Sequence, residues 1–261
     1  MIFDPFDEIV HSIGLMIGKP DDQSRMLIIF FLAYPLAYIF RFLRGKYLRH
    51  AYSIIVGVTL HLFMFREGAL HFWGLGLIVY AILSVMDRKK QPWVVFAVCL
   101  IHLSGMHINR FFFDFGSWSL DATTFLMPLI SRLSSLGFVY ADGEKKTHEL
   151  TEEQNQRKVE EKPSLIEILS YISYPASNLC GPFFEFRDYK DFIEENGRYK
   201  NIPSSFGVAF SKLFQGIILL GLCVLLPLYF DTGLLGSEWF ANLPYFFAYL
   251  FWTAACFGYR C

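Results

Sequence analysis

The sequence predicts an all-α fold: a polytopic transmembrane helical bundle with a broken, re-entrant helix and a short interfacial amphipathic helix. Three observations carry this. Of the 261 residues, 54% are hydrophobic, only 18% are charged and 29 are Phe, a share several-fold above the usual. The charges fall in short clusters between apolar runs of membrane-crossing length. One such run, 163–193, is interrupted twice by proline.

Met26–Phe42 is the first expected span, closed by Arg41, Arg44, Lys46 and Arg49, a basic cluster that belongs on the cytosolic side. Asp4, Asp7, Glu8, Asp21 and Asp22 precede it where a signal peptide would carry positive charge, so this span is expected to be retained. Ala51–Phe65 is short for a crossing and would tilt or thin the bilayer locally. After Arg66-Glu67, Ala69–Met86 returns to a second basic cluster at Arg88-Lys89-Lys90, Trp93–Ile108 crosses outward, and Asp121–Tyr140 crosses back. Residues 141–163 form a charged loop of mixed sign, with a capping box at Thr151 and Gln154, expected to be solvated and cytosolic. Phe206–Phe230 and Leu243–Tyr259 are the last two apolar runs. The whole reads as one membrane domain without internal repeats.

The stretch 163–193 starts as a well-marked helix, because Ser164 and Glu167 have capping-box spacing and an apolar run begins at Leu165. Pro175 has no N–H to offer the carbonyl of Tyr171, and Pro182 pushes Gly181 out of helical conformation. Such a break is tolerated at membrane depth only inside protein or beside a wet cavity. Beyond it, Phe183, Phe186, Tyr189 and Phe192 recur every three residues among charges, which predicts the amphipathic helix. A full crossing here would place Arg187, Lys190, Arg198 and Lys200 on the lumenal side and the loop 231–241, which has no Lys or Arg, on the cytosolic side. Re-entry avoids that inversion and puts the N-terminus in the lumen.

A net charge of −1 and the absence of a basic patch interleaved with aromatics exclude nucleic acid as a partner. The five cysteines form no C-x-x-C and read as small buried hydrophobes. His102 and His107 are five apart and so on different helix faces, which disfavours a metal site; His61 and His71 read as interfacial. No G-x-S-x-G, P-loop or G-x-G-x-x-G is present. Arg132 lies mid-span beside Ser131, Ser134 and Ser135, where a charge faces a bundle interior or cavity unless it snorkels; Lys212, near a span start, reads as a snorkelling anchor.

The blocks Asp121-Ala-Thr-Thr, Met127, Arg132, Ser134-Ser135 and Tyr140-Ala-Asp142-Gly143, then Pro163-Ser164-Leu165 and Gly181-Pro182-Phe-Phe-Glu-Phe-Arg-Asp-Tyr189-Lys-Asp-Phe192-Ile193, resemble the membrane-bound O-acyltransferase family, and within it the eukaryotic lysophospholipid acyltransferases. The resemblance implies transfer of a fatty acyl group from acyl-CoA, a co-substrate, to the free hydroxyl of a lysophospholipid at the endoplasmic reticulum membrane, without a cofactor. It makes Arg132, Asn178, Gly181, Pro182, Glu185 and Tyr189 the substrate-binding candidates. The family uses a His in an apolar stretch as general base, with an Asn in a Trp-Asn segment upstream of it. This chain has no Trp-Asn pair and no His after His148, so the expectation is the N-terminal portion of a longer acyltransferase whose catalytic pair lies beyond Cys261. A catalytically dead relative or a transporter-like protein is the alternative, since transporters also use discontinuous helices.

Overall fold

The computed structural model describes residues 4–116, 119–177, 181, 183–201, 203–204, 206–229 and 232–260, so the expectations for Asn178 and Pro182 fall outside the described residues. Every regular element among the described residues is helical. The chain divides into two units, Met1–Lys200 and Asn201–Cys261.

The first unit opens with α1 (Asp4–Ile17), an amphipathic helix that the span pattern did not anticipate. The carboxylate of Asp7 holds it in place by pairing with Arg25 at 2.7 Å and with Arg66. Next comes α2 (Asp21–Phe40), which starts five residues earlier than expected because Asp21 and Asp22 occupy a first turn, where the helix dipole favours them. Helix α3 (Lys46–Phe65) has 20 residues, not the short run read from hydropathy. Lys46 to Arg49 form its first turn, and 20 residues rise about 30 Å, enough to cross without thinning the bilayer. The chain then reverses through Arg66, whose φ of 52° is rare for a residue with a Cβ. After it follow α4 (Leu70–Val85), α5 (Gln91–Phe113), with Pro92 in its first turn, and α6 (Ala122–Asp142).

These crossings alternate, and ion pairs sort their ends. At one end Arg110 meets Asp121 at 2.9 Å and Asp7 meets Arg25 and Arg66. The other end collects Lys46 and Arg49 of α3, and Arg88, which donates to the Glu160 carbonyl at 2.8 Å. Helix α6 is the central element: 67% of its most apolar stretch is buried, against 11% for that of α5. Leu126, Leu129, Leu133 and Leu136 form its inward stripe against Leu75, Val79 and Val95.

The charged loop contains α7 (Glu152–Arg157), started by the expected Thr151–Gln154 box. It is less solvated than its composition implies. Val159 is buried and its N–H reaches the Val139 carbonyl at 2.9 Å, while Gly143 leaves no room for a Cβ, which would lie 2.0 Å from the Val159 carbonyl oxygen.

Helix α8 (Leu165–Ile172) begins at the Ser164–Glu167 box and has eight residues. That is a rise of about 12 Å, under half a hydrocarbon core of ~30 Å. It wedges between α3 and α4, where Gly57 and Gly76 admit it: a Cβ on Gly57 would lie 1.8 Å from the Ser173 carbonyl oxygen, and one on Gly76 2.3 Å from Ile172 Cδ1. A 3-10 turn, Pro175–Ser177, follows α8, and the next helix is α9 (Phe186–Ile193). The segment returns to the end it entered, because Lys190 Nζ lies 3.1 Å from Glu161 Oε2 and 3.6 Å from Glu167 Oε1. Helix α9 starts three residues later than the aromatic period suggested, leaving Phe183 outside it and 53% exposed. Its apolar face, Phe186, Tyr189 and Ile193, is buried on protein, and its charged face points outward.

The second unit contains α10 (Phe206–Tyr229), α11 (Glu238–Ala241), capped by Ser237, and α12 (Tyr245–Arg260). Helices α10 and α12 pack together, and Lys212 reaches Gln215 within α10 at 3.2 Å.

Candidate functional site

The break in the α8–α9 segment leaves backbone carbonyls that a continuous helix would have satisfied. Pro175 has no N–H for Tyr171, and the helix stops at Ile172. Arg132, at the middle of α6 and 4% exposed, faces these groups. Its Nη1 donates to Ser177 Oγ at 2.6 Å and lies 3.5 Å from the Tyr171 carbonyl, while Nη2 lies 3.4 Å from that of Ile172. The two carbonyl contacts are long, so they act more by charge than by directed hydrogen bonding. The guanidinium also sits 5.1 Å and 5.3 Å from the ring centres of Tyr171 and Phe184, within cation–π range. Its Nε is buried without a partner, and among the described residues no carboxylate pairs with it. The snorkelling reading of Arg132 is therefore ruled out.

Aromatic rings wall this region. Tyr171 packs edge-on against Phe184 and Phe186, and its hydroxyl donates across the break to the Phe184 carbonyl at 2.8 Å. Tyr189, 2% exposed, lies against Tyr171 and Tyr174 with ring centres 5.4 Å and 5.6 Å away. Its hydroxyl lies near Ser53 and Ser170 without a hydrogen-bond partner, and beside it His50 Nδ1 meets Ser170 Oγ at 2.6 Å. Glu185, 7% exposed, accepts from Ser135 Oγ at 2.5 Å and pairs with Arg157 at 3.4 Å. A Cβ on Gly181 would lie 2.3 Å from Ser177 Cα, so the backbone passes there only because the residue is glycine.

Of the candidates read from the sequence, the structure thus gathers Arg132, Gly181, Glu185 and Tyr189 around one break. Glu185 is engaged with protein, whereas the Tyr189 hydroxyl and Arg132 Nε are each buried without a hydrogen-bond partner. Ser177 and Arg157 were not singled out from sequence, and Ser135 was read only as a polar neighbour of Arg132 and part of a family block. Arg49 was read as part of a basic cluster, and that signal pointed to the surface. The charged loop and α9 share a cleft lined by Val159, Glu160, Arg187, Lys190 and Asp191. In it Lys190 is held above the ordinary lysine value: burial alone would lower it, and the hydrogen bond Lys190 donates to Glu161 and the charge of Glu167 outweigh burial. His61 is fully buried, stacked on Phe72 at 4.3 Å. His102 lies against His71 with ring centres 5.3 Å apart.

The profile of the membrane-bound O-acyltransferase family matches residues 108–260, which takes in α6 and the broken segment. The chain is 30% identical over 203 residues to lysophospholipid acyltransferase 6 of Drosophila melanogaster, covering 76% of this chain and 28% of that protein. It is 29% identical over 243 residues to lysophospholipid acyltransferase 2 of Arabidopsis thaliana, covering 88% and 52%. Against the human membrane-bound glycerophospholipid O-acyltransferase 1 it is 29% identical over 269 residues, covering 93% and 54%. The chain spans about half the length of these relatives, or less.

Proposed function

The chain belongs to the membrane-bound O-acyltransferase family, and from that premise we propose that it forms the substrate-positioning scaffold of a lysophospholipid acyltransferase of the endoplasmic reticulum membrane. Acyl-CoA and a lysophospholipid are the substrates, and no further cofactor takes part. The observation that carries this reading is Arg132, a mid-membrane guanidinium at a helix break with one unsatisfied donor and no carboxylate partner. A cation so placed favours an anionic ligand group, and the phosphate of a lysophospholipid brings one into the bilayer interior.

In the reaction the lysolipid hydroxyl oxygen attacks the thioester carbonyl; a C–O bond forms, the C–S bond breaks, and the hydroxyl proton passes through a general base to the departing CoA sulfur. The His and the Trp-Asn segment that the family uses for this have no match among residues 1–261. Residues 1–261 are assigned binding and orientation: Arg132 holds the phosphate, and the aromatic wall and Gly181 fix the path beside it. The end of the bundle that carries Arg49, Arg88 and α9 faces the cytosol, where acyl-CoA is delivered.

The test is reconstitution of the full-length enzyme with radiolabelled acyl-CoA and a panel of lysophospholipids. Labelled phospholipid with at least one headgroup is expected. Absence of product with every headgroup would overturn the assignment and favour a non-catalytic relative.

A further inference from the structure

Two buried guanidiniums close the broken segment, one at the end of each short helix. Arg132 faces the last carbonyls of α8. Arg49, from the first turn of α3, does the same for α9: its Nη1 donates to the carbonyls of Phe192 at 3.1 Å and Ile193 at 3.2 Å. The same side chain donates from Nε to the Leu43 carbonyl at 3.0 Å and pairs through Nη2 with Glu195. Its guanidinium lies 5.8 Å from the ring centre of Phe40, which in turn stacks on Phe192. Within the same basic cluster Arg41 and Arg44 are exposed, whereas Arg49 is 6% exposed. A surface anchor of membrane orientation would have stayed outside with them.

Glu195 adds an independent observation. Its φ is 56°, a conformation that glycine takes far more easily. The turn it closes is held by backbone bonds, Asn196 N–H to the Asp191 carbonyl at 2.8 Å and Glu195 N–H to the Phe192 carbonyl at 3.4 Å, and its side chain reaches back from there to pair with Arg49. Backbone N–H groups already serve the carbonyls of Lys190, Asp191 and Phe192, and Arg49 adds a donor to Phe192 and serves Ile193, so one fork of donors meets two carbonyls, a carboxylate and the chain leaving α2.

We propose that Arg49 is a positioning residue for acyl transfer: it fixes the height and rotation of α9, and through Tyr189 and Phe192 the aromatic wall beside Arg132. This rests on the acyltransferase reading. Arg49 touches neither Arg132 nor any candidate substrate group, so it acts through α9.

The test uses the full-length enzyme with Arg49→Gln and Arg49→Lys, and two readouts. The first is trypsin cleavage at Arg198 and Lys200 in native membranes, which reports release of α9 without reference to activity. The second is kcat and KM per folded molecule. In Arg49→Gln cleavage is expected to accelerate several-fold and kcat to fall by up to about a hundredfold, the scale of an ångström-level misplacement. Arg49→Lys should fall between, because one ammonium cannot serve the same fork of acceptors. If Arg49→Gln fails to accumulate, Arg49→Lys carries both readouts. Unchanged cleavage, or reduced abundance with wild-type kcat per molecule, would overturn the proposal. Accelerated cleavage in an enzyme whose wild type acylates no lysophospholipid would remove the acyltransferase reading and leave the hold of Arg49 on α9 standing.

Discussion

Arg132 Nη1 lies 2.6 Å from Ser177 Oγ, and this bond joins the centre of α6 to the turn that interrupts the α8–α9 segment. The C-terminus of α8 offers the guanidinium a partial charge of about −0.5. That offsets part of a full positive charge and leaves Nε unsatisfied. A structural cap and a ligand-binding cation are therefore compatible roles for one side chain, and they separate by experiment.

In the full-length enzyme, Arg132→Leu should lower kcat/KM for lysophospholipid by roughly two orders of magnitude, the scale of losing a charge-assisted bond to phosphate in a dry site. Arg132→Lys, which keeps the charge and loses the fork, should retain more. Membrane abundance measured alongside decides the rest: normal abundance with lost activity supports substrate binding, and lost abundance of both variants makes the role one of capping alone.

Topology gives a second expectation. Lys190 meets Glu161, Arg157 meets Glu185 and Arg88 meets Glu160, so residues 143–162 and 187–200 occupy one end of the bundle. Single cysteines placed in the two loops, on a background stripped of native cysteines, should label from the same, cytosolic, side. Labelling from opposite sides would mean that the segment crosses, against its re-entrant path.

Spans, capping boxes and the break were legible in the sequence because each is local. Hydropathy marks α2 to α6, the Ser164 and Thr151 boxes need three residues' spacing, and Pro175 interrupts a helix whatever surrounds it. What could not be read was where charges go once the helices pack. The same periodicity that marks Phe186 and Tyr189 as an apolar face serves lipid or protein equally, and only the seat between α3, α6 and α8 decides for protein. Likewise Arg49 and Arg44 look equivalent in a basic cluster five residues apart, and the arrival of α9 from 143 positions away pulls one of them inside. Helix α1 was missed because Asp7 and Glu8 broke the apolar run that a span search looks for.

At Gly181 the prediction is steric. A Cβ would collide with the Ser177 Cα and with the Ala176 carbonyl oxygen at 2.6 Å, both backbone atoms that cannot rotate away. Gly181→Ala should therefore already impair acyl transfer, and Gly181→Leu more so, by displacing Phe184 and α9. Wild-type kinetics in the alanine variant would show that the turn relaxes at no cost.

Residues 1–261 on their own are expected to give acyl transfer at the no-protein rate. The hydroxyl of a lysolipid needs a positioned base, worth on the order of a hundredfold or more. Here His61 is packed in the core and His50 is engaged with Ser170. Turnover by the purified 261-residue chain that vanishes in His102→Ala or His107→Ala would place the base within the scaffold instead.

Glu185 allows the sharpest separation of binding from architecture. Its carboxylate is 7% exposed and held between Ser135 and Arg157, and the Arg157 side chain is 48% exposed. Because Arg157 is half in solvent, removing it should cost nearer 1 kcal/mol than the 3–5 kcal/mol of a fully buried pair. If Glu185 serves to tie the charged loop to the start of α9, Glu185→Gln and Arg157→Gln should each lower thermal stability, and the double variant should lose less than the sum, since the second change removes a partner already missing. Acyl-transfer KM should then move little in any of the three. If Glu185 contacts substrate as well, Glu185→Gln should raise KM on its own while Arg157→Gln does not. Thermal inactivation and KM measured on the four proteins of this cycle decide between them.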